Sequence, residues 1–363
     1  MGFIGFLRQL FTPAVSGEVP GNTAGKKQID ARFRALIDSG SLPGLSVTVL
    51  KKGRKVFQNG YGYADIDRKI AVDPCKTQFR IASASKPIAA MALAKMVADK
   101  KIDLDTSFYN YIPYFPRKKY DFTIRQLASH TAGIRGYRGK EYALNKPFSI
   151  KESLQIFQDD PLVFRPGTDY LYTSFDWVLI SLAMEEVSGM SFAEYVKQEV
   201  LDPLGMNATQ VEYPDAIKKD KATPYTRRRS GFRKAIPVDN QYKLAGGGYL
   251  STSKDLAKLG KAFLDYSLVS KEVLQEFLSP QYVKGKSTYY GLGCQVSEDS
   301  NGRPFIGHVG NGIGGYSNFF VYPKEEVVIA LLVNCTDPKI QLVLERELYP
   351  KLLEFISVSE GIC

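Results

Sequence analysis

The most chemically pointed spacing in the chain is Phe79-Arg80-Ile81-Ala82-Ser83-Ala84-Ser85-Lys86-Pro87, where a serine and a lysine stand three residues apart at the head of an apolar run. On a helix, that offset brings both side chains to one face. A serine hydroxyl is a poor nucleophile near neutral pH and needs a base within hydrogen-bond reach; a lysine amine serves only while it is neutral. Burial and the positive end of a helix both disfavour an ammonium, so an S-x-x-K pair at a buried helix start has the parts for acyl transfer. Taken alone, the tetrad reads more readily as a helix N-cap followed by a solvated lysine.

The elements around it decide whether such a pair is buried. Pro87 suits a first helical turn, where its missing N–H has no intrahelical partner to lose. From Ser83 to about Lys100, the stripe Ile88, Met91, Ala92, Leu93 and Met96 predicts a buried helix. Upstream, apolar spacing over Ile29 to Ile37 predicts a helix. Leu45 to Leu50 and Lys55 to Tyr61 then read as a hairpin turning at Lys51 to Arg54, with Gly53 in the turn. The tract from about Leu104 to Ile236 has helical pieces at Ile150 to Phe157 and Asp176 to Val187, with Pro-rich connections and no run of alternating strands. A helix at Lys254 to Leu264 follows the cluster Gly246, Gly247, Gly248. Strands are expected at Tyr289 to Gln295, Ser317 to Tyr322 and Val327 to Val333, and a last helix at Ile340 to Phe355.

Strands from both ends without a βα repeat predict an α+β fold: an antiparallel sheet built from both chain termini, flanked by helices, with a helical insert domain at about 104–236. The reading assigns 27–357 to this domain, 1–26 to a poorly ordered tail or short interfacial helix, and 358–363 to a C-terminal tail.

Four further blocks give the tetrad a context. They are Thr123-Ile124-Arg125-Gln126-Leu127-Ala128-Ser129-His130-Thr131-Ala132-Gly133-Ile134, Pro166 to Ser174 with Tyr172-Thr173-Ser174, Ala245-Gly246-Gly247-Gly248-Tyr249-Leu250-Ser251-Thr252, and Gly307-His308-Val309-Gly310-Asn311. In this order, over roughly Leu42 to Asn334, they resemble the serine β-lactamase-related family: class C β-lactamases, carboxylesterases of that fold, D-stereospecific peptidases and the mitochondrial β-lactamase-like protein. The resemblance implies the β-lactamase/transpeptidase-like fold, with Ser83 as the acylated nucleophile, Lys86 as its partner base and Tyr172 as the proton-passing phenol. That role asks for a phenol of raised acidity, which a nearby ammonium would supply. By the same resemblance the backbone N–H groups of Ser83 and Asn311 form the oxyanion hole, and Ser174, His308 and Gly310 line the substrate.

Two positions depart from the family pattern. Ser174 stands where asparagine is usual, giving Y-x-S, and His308-Val309-Gly310 stands where β-lactamases carry K-T-G. That lysine reads a substrate carboxylate, so a neutral imidazole favours a neutral ester or amide. The expected activity is a serine hydrolase acting through an acyl-enzyme on a small ester, amide or peptide bond, esterase- or peptidase-like more than a true β-lactamase. The alternative is a weakly active or inactive binding or assembly protein on the same fold. His130, in the S-H-T-x-G block, reads as structural.

Composition narrows the remaining classes. The 363 residues include only two histidines, which disfavours multi-histidine metal sites, and neither stands with a G-x-S-x-G elbow, which removes a Ser-His-Asp triad. No cofactor or metal is expected. The four cysteines have no CxxC spacing and read as packed thiols. Much of the net charge of +10 is concentrated between Lys218 and Lys234, a run expected to be a solvated, mobile loop, so no nucleic-acid partner is expected. The opening MGFIGFLRQLF is apolar but makes no convincing signal peptide. The default compartment is therefore the cytoplasm, or the periplasm or a membrane surface if the gene start lies elsewhere. The N-terminus and the basic run are where weak membrane-surface contact would occur.

Overall fold

Strand β7 (Val327–Val333) reads VVIALLV, a run without a polar residue that suits a strand covered on both faces, and every residue in it is buried. Val327, Ile329, Leu331 and Val333 enter one hydrophobic core, while Val328, Ala330 and Leu332 enter another. The computed structural model describes residues 23–213 and 219–358. In it β7 is the centre of a seven-stranded antiparallel sheet. The other strands are β1 (Gly44–Lys51), β2 (Arg54–Asp65), β3 (Ile70–Ala71), β4 (Gln295–Glu298), β5 (Pro304–Gly312) and β6 (Gly315–Tyr322). Their spatial order is β4-β5-β6-β7-β1-β2-β3, so strands from the two ends of the chain meet at the β7–β1 pair.

Helix α1 (Thr23–Asp38) and the C-terminal α5 (Tyr349–Val358) cover one face, sharing a core with Phe33, Val47, Ile329 and Leu352. On the other face α4 (Ser253–Asp265) packs on β7 and β1, its strong amphipathic pattern placing Leu256, Leu259 and Phe263 inward. Beyond it lie α2 (Ser85–Ala98) and α3 (Ser174–Ser188), both apolar nearly all round and accordingly buried. This is the β-lactamase/transpeptidase-like α+β architecture.

Several local expectations are corrected. Tyr289 to Gln295 is not a strand: Gly293 adopts φ +93, the segment turns, and the strand starts only at Gln295. The apolar side chains there are buried because Leu292 and Cys294 pack as irregular chain in the helical core. Strand β5 carries the Gly307-His308-Val309-Gly310-Asn311 block as a strand edge, and Gly307, Gly310 and Gly312 interrupt the alternation by which its full extent would be read. The basic run is not simply a mobile loop, since Tyr225–Arg228 and Gly231–Lys234 form a hairpin tied to Cys335–Thr336. Lys221 and Lys234 pair with Glu212 and Asp67, whereas Lys218 lies outside the described residues. The tract 104–236 therefore carries short strands as well as helices. Helix α1 begins at Thr23, inside the expected tail, and most of that tail and of 358–363 lies outside the described residues. The closing helix holds a π-turn at Leu344–Leu348 just before Pro350, which has no N–H to donate. Among the described residues no helix is long and apolar enough to cross a membrane, and no cluster of three metal-ligating side chains occurs.

Candidate active site

Ser83 sits in a one-turn 3-10 segment, Ala82–Ala84, that leads into α2. Its hydroxyl does not cap the helix: the cap position is Ala84, without a side-chain bond. Ala82 is held at φ +46, a left-handed conformation that a non-glycine residue adopts at a cost of about 1 kcal/mol or more. Contacts from several elements fix this turn. Ile81 donates its N–H to Tyr249 O at 3.2 Å, and its carbonyl accepts the Ser317 hydroxyl of β6 at 2.7 Å. Strand β5 runs so close that a Cβ on Gly310 would lie 2.2 Å from Ile81 O, which explains the glycine of the H-x-G triplet.

Tyr172 and Ser174 straddle Thr173, the N-cap of α3, whose hydroxyl accepts the Phe175 N–H. The cap turns the chain so that the Tyr172 hydroxyl donates to Ser83 Oγ at 2.7 Å. Lys86, fully buried on the first turn of α2, places Nζ 3.2 Å from Ser83 Oγ, 3.3 Å from Ser174 Oγ and 2.7 Å from Gly246 O. Those three partners fill the donor directions of an ammonium. Burial pulls the amine down to about 7; buried Asp176 opposes the shift and Lys243 adds to it. Near neutral pH a large fraction of Lys86 is thus free base.

The Tyr172 phenol behaves differently from the expectation. Burial pushes it well above the ordinary phenol value despite the hydrogen bond to Ser83, so it stands as a neutral donor and not an acidified phenol. Lys86 Nζ lies 4.7 Å from its ring centroid, over the face and not beside the oxygen. Behind this ring are His130, at 4.6 Å between centroids, and His308, at 5.8 Å. His130 Nδ1 lies 2.7 Å from Asp176 Oδ2; burial drives the imidazole down and the carboxyl up.

His308 is almost fully buried. Its Nδ1 is 2.6 Å from Val309 O, which can only accept, so Nδ1 carries the proton and Nε2 accepts from Tyr290 OH at 3.0 Å. Burial first, then Lys86, takes it down to about 3, leaving it neutral at physiological pH. The cleft in front of Ser83 is lined by Arg80, Ser83, Tyr172, Ser174, Asn311 and Gly312, among others, but not by His308. The structure therefore brings Ser83, Lys86, Tyr172 and Ser174 into direct contact, and sets Asn311 on the cleft wall with its side-chain oxygen accepting Asp337 N–H at 3.0 Å. Gly310 lies against the turn that carries Ser83, and His308 stands behind Tyr172.

Sequence reasoning gave no role to Lys243, Tyr137, Tyr142 or Asn240, which complete the cleft. Lys243 is two residues before the Ala245-Gly246-Gly247-Gly248 block, and that adjacency was the available signal. Burial pushes the Tyr137 phenol up to about 12, and Ser174 beside it acts the other way.

A nucleophile turn at the head of a buried helix, a lysine beneath it, a tyrosine from the insert and a glycine-bearing strand edge define a serine β-lactamase-type site. The beta-lactamase family model matches residues 29–348, and the chain belongs to that family. It is 28% identical to the mitochondrial serine beta-lactamase-like protein LACTB of Homo sapiens, across 79% of this chain and 70% of that protein. Among solved structures, the D-amino acid amidase from Ochrobactrum anthropi SV3 superposes with a TM-score of 0.79 at 21% identity, covering 93% of this chain and 100% of that one. EstCE1, described as a hydrolase with promiscuous acyltransferase activity, superposes with a TM-score of 0.75 at 19% identity, covering 92% and 98%.

Proposed function

We propose that the chain is a serine hydrolase that cleaves a small ester, amide or peptide bond through a covalent acyl-enzyme on Ser83. The observation that carries this reading is the position of Ser83 Oγ, 2.7 Å from the Tyr172 hydroxyl and 3.2 Å from Lys86 Nζ. As a free amine, Lys86 keeps its N–H bonds to Gly246 O and Ser174 Oγ and turns its lone pair to the Ser83 hydroxyl. Ser83 Oγ attacks the carbonyl carbon while its proton passes to Nζ, and the carbonyl electron pair moves onto oxygen. The backbone N–H groups of Ser83 and Asn311 receive that oxyanion, each such donor being worth roughly 3 kcal/mol in a well-formed hole. Collapse of the tetrahedral centre expels the leaving group, which takes the Tyr172 proton as Tyr172 is reprotonated from the Lys86 ammonium. Water then attacks the ester with Lys86 again as base, releasing the acid and restoring Ser83.

An esterase- or peptidase-like substrate is favoured over a β-lactam because the imidazole in the K-T-G position is neutral and faces away from the cleft. The amidase and the acyltransfer-competent hydrolase on the same fold support this reading of substrate class. The test is a screen of p-nitrophenyl esters, β-lactams and D-amino-acid amides with intact-mass detection. An acyl adduct on the native protein that is absent from Ser83→Ala is expected; undiminished turnover by Ser83→Ala would overturn the proposal.

A further inference from the structure

The cleft is electrostatically lopsided. Its lining includes Arg80 and Lys243 and no carboxylate. Arg80 is already satisfied: Nε lies 2.7 Å from Glu212 and an NH group donates to Ile313 O at 2.8 Å. Glu212 is shared with Lys221 at 2.5 Å, so it has no spare charge to offer the cleft.

Lys243 is different. It is the last residue of the Gln241–Lys243 turn and is more than nine-tenths buried. Its Nζ donates to Tyr142 O at 2.6 Å, and among the described residues no carboxylate lies within ion-pair distance of it. The ammonium rests over the faces of Tyr137 and Tyr242, at 5.2 and 5.4 Å. These rings give it weak cation–π support without occupying its remaining N–H donors. Burial, with Arg80 nearby, takes it down to about 8, so it is still mainly a cation at neutral pH. A buried cation with one neutral acceptor is poorly compensated, and an anion entering beside it recovers the missing interaction.

We infer that Lys243 binds a carboxylate on the substrate, so that the preferred ester or amide carries an anionic group recognised from the helical wall of the cleft and not from strand β5. This assignment rests on the serine-hydrolase reading for calling the ligand a substrate. It reverses the preference for a neutral substrate that the histidine at 308 suggests, because the positive charge has a different address. A carboxylate suits a single ammonium with two open donors; a phosphate dianion would call for a second unpaired cation, which Arg80 is not.

The experiment compares p-nitrophenyl hydrogen succinate and glutarate with their methyl-ester counterparts, which differ only in the charge. The native protein is expected to favour the anionic esters in kcat/KM by about 10- to 100-fold, mainly through KM. Lys243→Met should bring that ratio towards one and Lys243→Arg should retain part of it, with thermal melting showing that both variants fold. No charge preference in the native protein, or one that survives Lys243→Met, overturns the assignment. Calorimetric binding of the same esters to Ser83→Ala, with and without Lys243→Met, reads recognition without chemistry. If no ester acylates the native protein, the hydrolase reading fails. A carboxylate-dependent affinity lost with Lys243 then still supports the binding site, and equal affinities refute it.

Discussion

Two buried lysines flank Ser174 and the Ser83 cleft, Lys86 beneath its floor and Lys243 in its wall, and their surroundings differ in one respect. Lys86 meets three acceptors, Ser83 Oγ, Ser174 Oγ and Gly246 O, and all belong to the protein. Lys243 meets one, Tyr142 O. Both are pulled down by burial, Lys86 to about 7 and Lys243 to about 8, so depth in the protein does not separate their tasks. Partner count does. A lysine with a full set of internal partners is oriented to exchange a proton with one of them, whereas a lysine with donors to spare is arranged to receive something from outside.

Substitutions sharpen this contrast in order of size. Lys86→Met should reduce kcat for every substrate by roughly 10³-fold or more, comparable to Ser83→Ala, because nucleophile and base act as a unit. A stopped assay with intact-mass detection checks it, and a variant that still acylates at the native rate would break the comparison. Tyr172→Phe removes the neutral donor on Ser83 Oγ and should lower kcat by about 10²- to 10⁴-fold, most for poor leaving groups that need the proton. A series of phenyl esters of graded leaving-group acidity reads that slope.

Ser174→Ala takes away one of the three Lys86 partners; a loss of about tenfold in kcat is expected, the scale of one hydrogen bond. The smallest effect is on pH. Lys86 must be neutral to accept the Ser83 proton, so kcat/KM should rise with pH through about 7. The Lys243 charge helps hold Lys86 down; in Lys243→Met the amine recovers affinity for its proton and the rising limb moves to higher pH. A limb that stays in place or moves lower would show that the two lysines do not sense each other.

How much of this was legible in the sequence follows from distance along the chain. Ser83 and Lys86 could be paired from their spacing, and their helix from the apolar stripe behind them. Tyr172 and Ser174 became readable through the order of the blocks, since nothing local says which of 22 tyrosines faces a serine 89 positions away. Lys243 was not legible. A lysine beside a glycine cluster looks like any surface lysine until its burial is known, and burial here depends on Tyr137 and Tyr142 arriving from one segment far upstream. The full extent of strand β5 was hidden for a physical reason as well: the glycines that let it approach the Ser83 turn also remove the side chains by which strands are recognised. The phenol goes the other way from the sequence expectation because burial, which the sequence does not show, outweighs any neighbour that would acidify it.

The pairing of β1 with β7 has a consequence for how the molecule comes into being. A nascent chain that has emerged only as far as the serine-bearing helix owns Ser83 and Lys86, yet its first hairpin still lacks the partner Val327–Val333 on its β1 edge. Joining positions nearly three hundred residues apart is slow by loop-closure entropy, so maturation waits on the last strands made. The Asn311 wall of the cleft, coming from that same late segment, is absent until those strands are made, and a shortened product ending ahead of it would carry Ser83 and Lys86 without the rest of the cleft.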